Sequence, residues 1–277
     1  MSGRAKVAGQ LFLGNAADVT STSAALARGQ AVAHGFGNFY ALTARPDRGV
    51  VERVNLMKGR PAGQVGSVTT IGEHVPSLFD WCRLPAEFRR RQIQDLVEEL
   101  FTLGPFGFRG PAAAHVPAHL TSVQDGVATV QLIGPGYSCP SNGFLAAALE
   151  ATATDLLSVT SSNRSRHRTG AVHEPAHWQA AGVIADFGHE PGVTTLVHED
   201  EAAARHRYPH HEPMSTTVLS FHRATGHDRS ALPALTLERH GSLSADHTRA
   251  IAANHGFALA IAPQAERRLT ARTYAAR

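Results

Sequence analysis

The sequence predicts an α/β protein, and two observations support this fold class. Helix-type and strand-type periodicities alternate along the chain, a pattern typical of mixed α/β folds. The 277 residues, of which 43% are hydrophobic and 18% charged, supply enough apolar material for a substantial core. Cys82 and Cys139 are the two cysteines, too few for a disulfide scaffold or a zinc ribbon.

Five helices are predicted where apolar residues recur every three or four positions. Gly29, Gly59, Gly104 and Gly256 stand where four of them end, because glycine accepts the left-handed backbone that closes a helix. Ser141 caps the remaining one. The predicted helices are 21–28, 47–58, 85–104, 141–149 and 244–254.

Short apolar runs between these helices predict strands. The strand at 156–160 leads directly into a polar loop at 161–163, and ligands in open α/β sheets collect beyond strand ends. Residues 189–211 are rich in histidine and acidic residues and lack periodicity, so we predict a surface insertion there. The predicted strands are 31–33, 127–133, 156–160, 215–221, 235–238 and 257–261.

Several functional classes are excluded by what the chain lacks. No apolar run approaches the ~18 to 20 residues that cross a bilayer, and the N-terminus lacks a signal-peptide layout, so we expect a cytoplasmic protein without a membrane partner.

A P-loop needs Ser or Thr after its lysine, but Gly59 follows Lys58. Tyr40 replaces the third glycine of a Rossmann loop, and Pro140 distorts a possible nucleophile elbow. Pro209 breaks the helix that a histidine metal site would need, so no metal site is predicted.

Lysine is rare in this chain, which makes its positions informative. The sequence has 26 lysine and arginine residues, of which only Lys6 and Lys58 are lysine. An ammonium is a compact point charge, whereas a guanidinium is a planar fork, so the interior lysine at 58 is a candidate phosphate ligand.

Four anion-binding elements are dispersed along the sequence, at 58–61, 161–163, 215–216 and 239–241. Taken together and in this order, they resemble the threonylcarbamoyl-AMP synthase family, whose domain is called YrdC-like. The region from 58 to 61 resembles the family's Lys-x-Arg-Pro element, after an aromatic loop at 39–42 and a helix. Gly110 and Pro111 resemble its Pro-Gly-Pro turn. Residues 160–165 resemble the Ser-Ala-Asn-x-Ser loop, 215–218 the Ser-Thr-Val-Val strand, and 238–242 the closing Arg-Pro-Gly element.

The resemblance implies a twisted, mixed open sheet flanked by helices, with an ATP-binding domain over 1–245 and a C-terminal helical and strand extension over 246–277. It implies that an amino acid, bicarbonate and ATP, with Mg²⁺, are converted to a carbamoyl-type adenylate and pyrophosphate, as in threonylcarbamoyladenosine tRNA modification. The site residues that it implies for ATP are Lys58, Arg60, Ser161, Asn163, Ser215 and Arg239, with Lys58, Arg60 and Arg239 as the catalytic cations.

The chain departs from the family pattern near the predicted amino-acid site. Phe36 and Asn38 replace two threonines, and with Tyr40 they are the predicted substrate-binding residues; Gln131 replaces a strand arginine. We therefore expect threonine to be a poor or unselective acceptor. The glycine-rich loop also resembles hydrogenase-maturation carbamoyltransferases, which leaves carbamoyl phosphate open as the carbamoyl donor. A double-stranded RNA or other nucleic-acid-binding module, with weak RNA binding, and a catalytically silent domain remain alternatives, because an arginine excess also suits phosphodiester backbones.

Overall fold

The computed structural model describes residues 10–165, 168, 174–225 and 232–274. Within these residues one twisted sheet contains twelve strands, with mixed parallel and antiparallel pairing. The strands are β1 (Leu11–Phe12), β2 (Ala31–Phe36), β3 (Phe39–Ala44), β4 (Ser67–Thr69), β5 (Phe106–Pro111), β6 (Thr121–Gln124), β7 (Val127–Gly134), β8 (Leu157–Ser161), β9 (Val193–Val197), β10 (Val218–Thr225), β11 (Ala234–Arg239) and β12 (Ala258–Ile261).

The strand order across the sheet is β1-β9-β2-β3-β8-β4-β7-β5-β10-β11-β12, and β6 pairs with β7. The helices of the described residues are α1 (Ala16–Ala27), α2 (Arg48–Lys58), α3 (Arg90–Leu103), α4 (Ser141–Thr152), α5 (Ala180–Phe187), α6 (Glu201–His206) and α7 (Ala245–Asn254). The predicted α/β class and the mixed, helix-flanked sheet are confirmed. None of the helices described is long and apolar enough to cross a membrane.

Alternating side chains of β2 and β3 divide the core into layers. Val32 and Phe39 face the side of the sheet that α1 and α4 cover. Ala33 and Leu42 face the opposite side, against α2 and α5. A third cluster joins β5, β7, β10 and β11 to α3 and α7. Because both faces of β2 and β3 are buried, their sequences show no polar alternation, and the predicted loop at 39–42 is instead strand β3.

The predicted ends of several elements agree with the structure. Helix α2 ends at Lys58, and Gly59 has a φ of 77°, the left-handed conformation that glycine tolerates best. Helix α1 begins five residues before the prediction because Asn15 caps it, accepting hydrogen bonds from the backbone of Ala17 and Asp18. The division at residue 245 stays a prediction; α7 starts there, and β12 pairs with β11.

The stretch 189–211, predicted to be an insertion without regular structure, contains strand β9 and helix α6. Strand β9 lies between β1 and β2 inside the sheet, and its Leu196 and Val197 are buried. His198 and His211 are also buried, and burial lowers the pKa of each imidazole to about 4, so both are neutral at pH 7. The other three histidines of this stretch, His189, His206 and His210, are exposed, so composition failed only for the two imidazoles that adjoin the core.

Candidate functional site

A cavity of about 190 Å³ opens where strands β3, β4, β7 and β8 meet the segment before β10. Apolar side chains form one part of its wall, and hydroxyl and guanidinium groups form another. The polar residues that line it are Arg60, Gln64, Ser67, Gln131, Thr160, Ser161, Ser215, Thr216 and Arg239. The cavity therefore combines an apolar surface with several hydrogen-bond donors, a composition typical of small-molecule sites.

Two guanidinium groups line this cavity, and threonine residues hold both of them. Arg60 Nη1 donates to Thr160 Oγ1 at 2.7 Å. Arg239 donates through Nε to the backbone oxygen of Thr216 at 2.6 Å and through Nη2 to Thr216 Oγ1 at 2.7 Å. Burial lowers the pKa of Arg60, and it lowers that of Arg239 to about 10. Guanidinium groups remain charged in proteins at pH 7.

Lys58 lies behind the cavity wall rather than on its surface. Its side chain is fully buried, and Nζ donates to Thr160 Oγ1 at 3.2 Å and to the backbone oxygen of Ser161. Burial holds the pKa of this ammonium well below its ordinary value; the charges of Arg60 and Arg164 also lower it, and that of Asp186 raises it. The three predicted cations are thus close to one another, with Thr160 as the shared partner of Lys58 and Arg60.

None of these three cations forms an ion pair with a carboxylate among the ion pairs of the described residues. By contrast, Arg109 donates to Glu238 at 2.7 Å, with only 15% and 11% of the two side chains exposed. Buried charges are ordinarily paired or ligated. The uncompensated positive charge therefore favours an anion in the cavity.

A second cavity, of about 670 Å³, adjoins the first, and Gln131 and Arg239 line both. Its wall contains the Arg109–Glu238 pair and a second ion pair, Arg223–Asp125, at 2.7 Å. Gln131 links the two spaces, because its amide nitrogen donates to Ser67 Oγ at 2.7 Å and its oxygen accepts from Arg109 Nη2 at 2.5 Å.

Arg109 is a cavity residue that the sequence analysis missed. Position 131 carries glutamine where the resemblance predicts arginine, and Arg109 is its direct partner across the β5–β7 pairing. A guanidinium is thus present beside Gln131, but it comes from the neighbouring strand. The register of the β5–β7 pairing cannot be read from the sequence. The sequence alone therefore did not show that Arg109 supplies a guanidinium beside position 131.

Among the predicted ATP-binding residues, Ser161 and Ser215 line the smaller cavity, and Asn163 does not. Asn163 is buried, and its Nδ2 donates to the backbone oxygens of Arg164 at 2.7 Å and Glu174 at 3.1 Å. These hydrogen bonds tie the segment that follows β8 to the chain at Glu174.

The three predicted substrate-binding residues do not line either cavity. Phe36 packs in the core against His34 and Phe39. Asn38 Nδ2 donates to the backbone oxygen of His211 at 3.0 Å, and Tyr40 Oη donates to Glu201 at 3.0 Å on the opposite face of the sheet. Phe39 and Ala41 face the cavity instead, since side chains alternate along a strand.

The C-terminal segment, residues 268–274, contacts both the chain that follows Arg239 and the chain that follows Ser161. Arg268 donates to the backbone oxygens of Gly241 and Ser242, and Leu269 lines the larger cavity. Further on, Tyr274 Oη accepts hydrogen bonds from the backbone of residues 178 and 179, which lie a few residues beyond Glu174, a partner of Asn163. This segment fixes the chain that follows Ser161 relative to the chain that carries Arg239.

Solved structures that are similar to this chain identify its fold. A double variant of Sua5 from P. abyssi matches with a TM-score of 0.62 and 19% identity, covering 89% of this chain and 62% of that one. P. abyssi Sua5 complexed with L-threonine matches with a TM-score of 0.59 and 18% identity, over 88% of this chain and 59% of that one. The hypothetical protein smu.1377c from Streptococcus mutans UA159 matches with a TM-score of 0.60 and 12% identity, over 87% and 93% of the two chains.

The chain has a YrdC-like fold. The predicted resemblance is thus confirmed at the level of the fold, and the chain spans about 60% of the length of the P. abyssi Sua5 structures. No protein-family model matches the sequence, and no curated protein matches it either. Within the YrdC-like fold, the cationic cavity is the candidate functional site.

Proposed function

We propose that this protein is an ATP-dependent enzyme that forms a carbamoyl-type adenylate. One observation carries the proposal: Arg60 and Arg239 line one cavity, Lys58 lies directly behind its wall, and none of the three has a carboxylate partner among the described ion pairs. A polyphosphate supplies the missing negative charge. Arginine forks suit phosphate oxygens, and the hydroxyls of Ser161 and Ser215 add hydrogen bonds.

The dimensions of the two cavities support a nucleotide rather than a small anion alone. The smaller cavity, at about 190 Å³, is below the roughly 300 Å³ at which pockets for drug-sized ligands begin. The adjoining cavity, at about 670 Å³, shares Arg239 with it. We propose that ATP extends through both, with its phosphates between Arg60 and Arg239 and the nucleoside in the larger space.

The proposed reaction needs no nucleophile from the protein. The amine of an amino acid first combines with bicarbonate to give a carbamate and water. A carbamate oxygen then forms a bond to the α-phosphorus of ATP, the bond from that phosphorus to the bridging oxygen breaks, and pyrophosphate leaves. Both reactants are anionic, so the protein's contribution is to hold them together and to neutralise their charge. Arg60 and Arg239 are the residues placed to do so.

Mg²⁺ would enter the site on the phosphates. The two carboxylates that line the larger cavity, Asp125 and Glu238, are each paired with an arginine. Because an arginine already neutralises each of them, we derive no step that depends on a protein-held metal ion.

The acceptor is an amino acid in this proposal, by analogy with the P. abyssi Sua5 structure that contains L-threonine. The departures at Phe36 and Asn38 lie away from the cavity. They therefore do not by themselves argue against threonine, and we propose that the side chain of the acceptor contacts the apolar wall around Phe39 and Ala41.

The test is release of pyrophosphate by the purified protein in ATP, Mg²⁺ and bicarbonate, with threonine, serine and glycine compared in parallel. A further reaction contains carbamoyl phosphate without bicarbonate or amino acid. We expect release that requires an amino acid and bicarbonate and that Arg60→Met abolishes. Release with carbamoyl phosphate alone would assign the alternative donor, and no release in any reaction would refute the proposal.

A further inference from the structure

Thr160 occupies an unusual position at the end of strand β8. Its Oγ1 accepts a hydrogen bond from Lys58 Nζ at 3.2 Å and another from Arg60 Nη1 at 2.7 Å. The same residue lines the smaller cavity and is partly exposed there. It is thus the one described side chain that contacts two of the three site cations directly.

The hydrogen-bond capacity of a hydroxyl determines what this arrangement leaves open. A threonine hydroxyl has two acceptor lone pairs and one proton to donate. Lys58 Nζ and Arg60 Nη1 are the donors in the two hydrogen bonds to Oγ1, so together they use both of its lone pairs. Among the hydrogen bonds of the described residues, none is donated by Thr160 Oγ1, so its proton is left for a further partner.

The cavity is the space that remains for this proton. The two cationic donors withdraw electron density from Oγ1, and a hydrogen bond donated from a hydroxyl so polarised is strengthened by cooperativity. A cation in the cavity would be repelled by Arg60 and Arg239, which line the same wall. The acceptor that fits this donor is therefore an anionic oxygen.

We infer that Thr160 is a substrate-contacting residue whose hydroxyl donates its proton to an anionic oxygen held in the cavity. This inference rests on the proposed function and adds to it a neutral donor that the sequence analysis did not identify. The oxygen belongs either to a phosphate of ATP or to the carboxylate or carbamate of the acceptor. Lys58 acts on the same oxygen through Thr160, as a positioning residue, because its own ammonium is behind the wall.

The experiment compares Thr160→Val, which keeps the shape and removes the hydroxyl, with Thr160→Ser, which keeps the hydroxyl. Thr43→Val is the control, because Thr43 is also a strand hydroxyl, but it is fully buried, bonded to His34 at 2.7 Å and absent from the cavity wall. Calorimetric titration with inorganic pyrophosphate and with threonine identifies which anion the hydroxyl contacts, and the kcat and KM for pyrophosphate release are measured in parallel.

A hydrogen bond to a charged group contributes roughly 1.5 to 3 kcal/mol, so Thr160→Val should weaken one of the two ligands by roughly 10-fold to 100-fold. Thr160→Ser should stay within a few-fold of the wild type, and Thr43→Val should bind both ligands normally. If Thr160→Val does not fold, Thr160→Ala serves in the same titrations. Unchanged binding and turnover in a folded variant without the hydroxyl would overturn the inference while leaving the proposed function intact. A wild-type protein that binds neither pyrophosphate nor threonine would overturn both.

Discussion

Replacing Arg239 by methionine should leave the free protein almost as stable as the wild type, although the residue is half-buried and makes two hydrogen bonds. Burial lowers the pKa of this guanidinium to about 10. Each pKa unit below the ordinary value corresponds to about 1.4 kcal/mol, so the unpaired charge costs at most about 3 kcal/mol at neutral pH. The hydrogen bonds to Thr216 that are lost are of similar magnitude. The two effects offset each other, and we expect a net change within about 2 kcal/mol.

Arg109→Met is the matched control for this variant. Arg109 is buried to a similar degree on the same wall, but it is paired with Glu238. Removing one partner of a buried ion pair leaves the other charge uncompensated, which typically costs about 3 to 5 kcal/mol. The two arginine-to-methionine changes are thus expected to differ clearly in the free protein.

Urea unfolding of both variants, with and without pyrophosphate, measures these effects. Wild-type protein should gain about 2.7 kcal/mol when the ligand is present at 100 times its Kd, and Arg239→Met should lose most of that gain. If Arg239→Met destabilised the free protein as much as Arg109→Met, the arginine at 239 would be a structural residue, and the argument from uncompensated charge would fail.

Three further predictions concern other properties of the chain. Lys58→Ala should lower kcat/KM for pyrophosphate release at least ~10-fold, because Thr160 loses one polarising donor; an unchanged value in the folded variant would contradict this. The pKa values of His34, His198 and His211 are about 3, 4 and 4. As the pH falls, the unfolded chain protonates these three histidines before the folded protein does. Urea unfolding should therefore show a lower free energy of unfolding at pH 5 than at pH 7, by up to roughly 2 kcal/mol per histidine. Equal stability at the two pH values would refute this prediction. Filter binding should detect only weak RNA binding that disappears near physiological salt; tight, salt-resistant binding insensitive to ATP would favour a nucleic-acid module.

Local rules were sufficient for the elements whose ends are marked by glycine or a capping side chain. Helix α2 and the start of α7 are examples, since Gly59 closes the first and Ser244 caps the second. The strands that were missed or misread, β3 and β9 among them, have no such marks. Strand β9 is specified by its partners β1 and β2, which lie far from it in sequence. Local periodicity carries no information about such partners.

At the candidate site, residue types could be predicted from the sequence, but side-chain directions could not. The elements containing Lys58, Arg60, Ser161, Ser215 and Arg239 were recognisable by residue type and order, and the structure brings these residues together. Side-chain direction was not recognisable: Lys58 and Asn163 turn to backbone oxygens, and Phe36, Asn38 and Tyr40 point away from the cavity. The position of each side chain depends on strand register and packing, which the fold determines as a whole.

The central claim is that the cavity between Arg60 and Arg239 holds the phosphates of ATP. Calorimetric titration of the wild type and of Arg60→Met with ATP and Mg²⁺, each repeated in the presence of pyrophosphate, measures this directly. We expect one nucleotide per chain, displaced by pyrophosphate and bound at least ~10-fold more weakly by the variant, because a charge-assisted hydrogen bond is lost. Absence of ATP binding, or equal affinity in the two proteins, would contradict the claim.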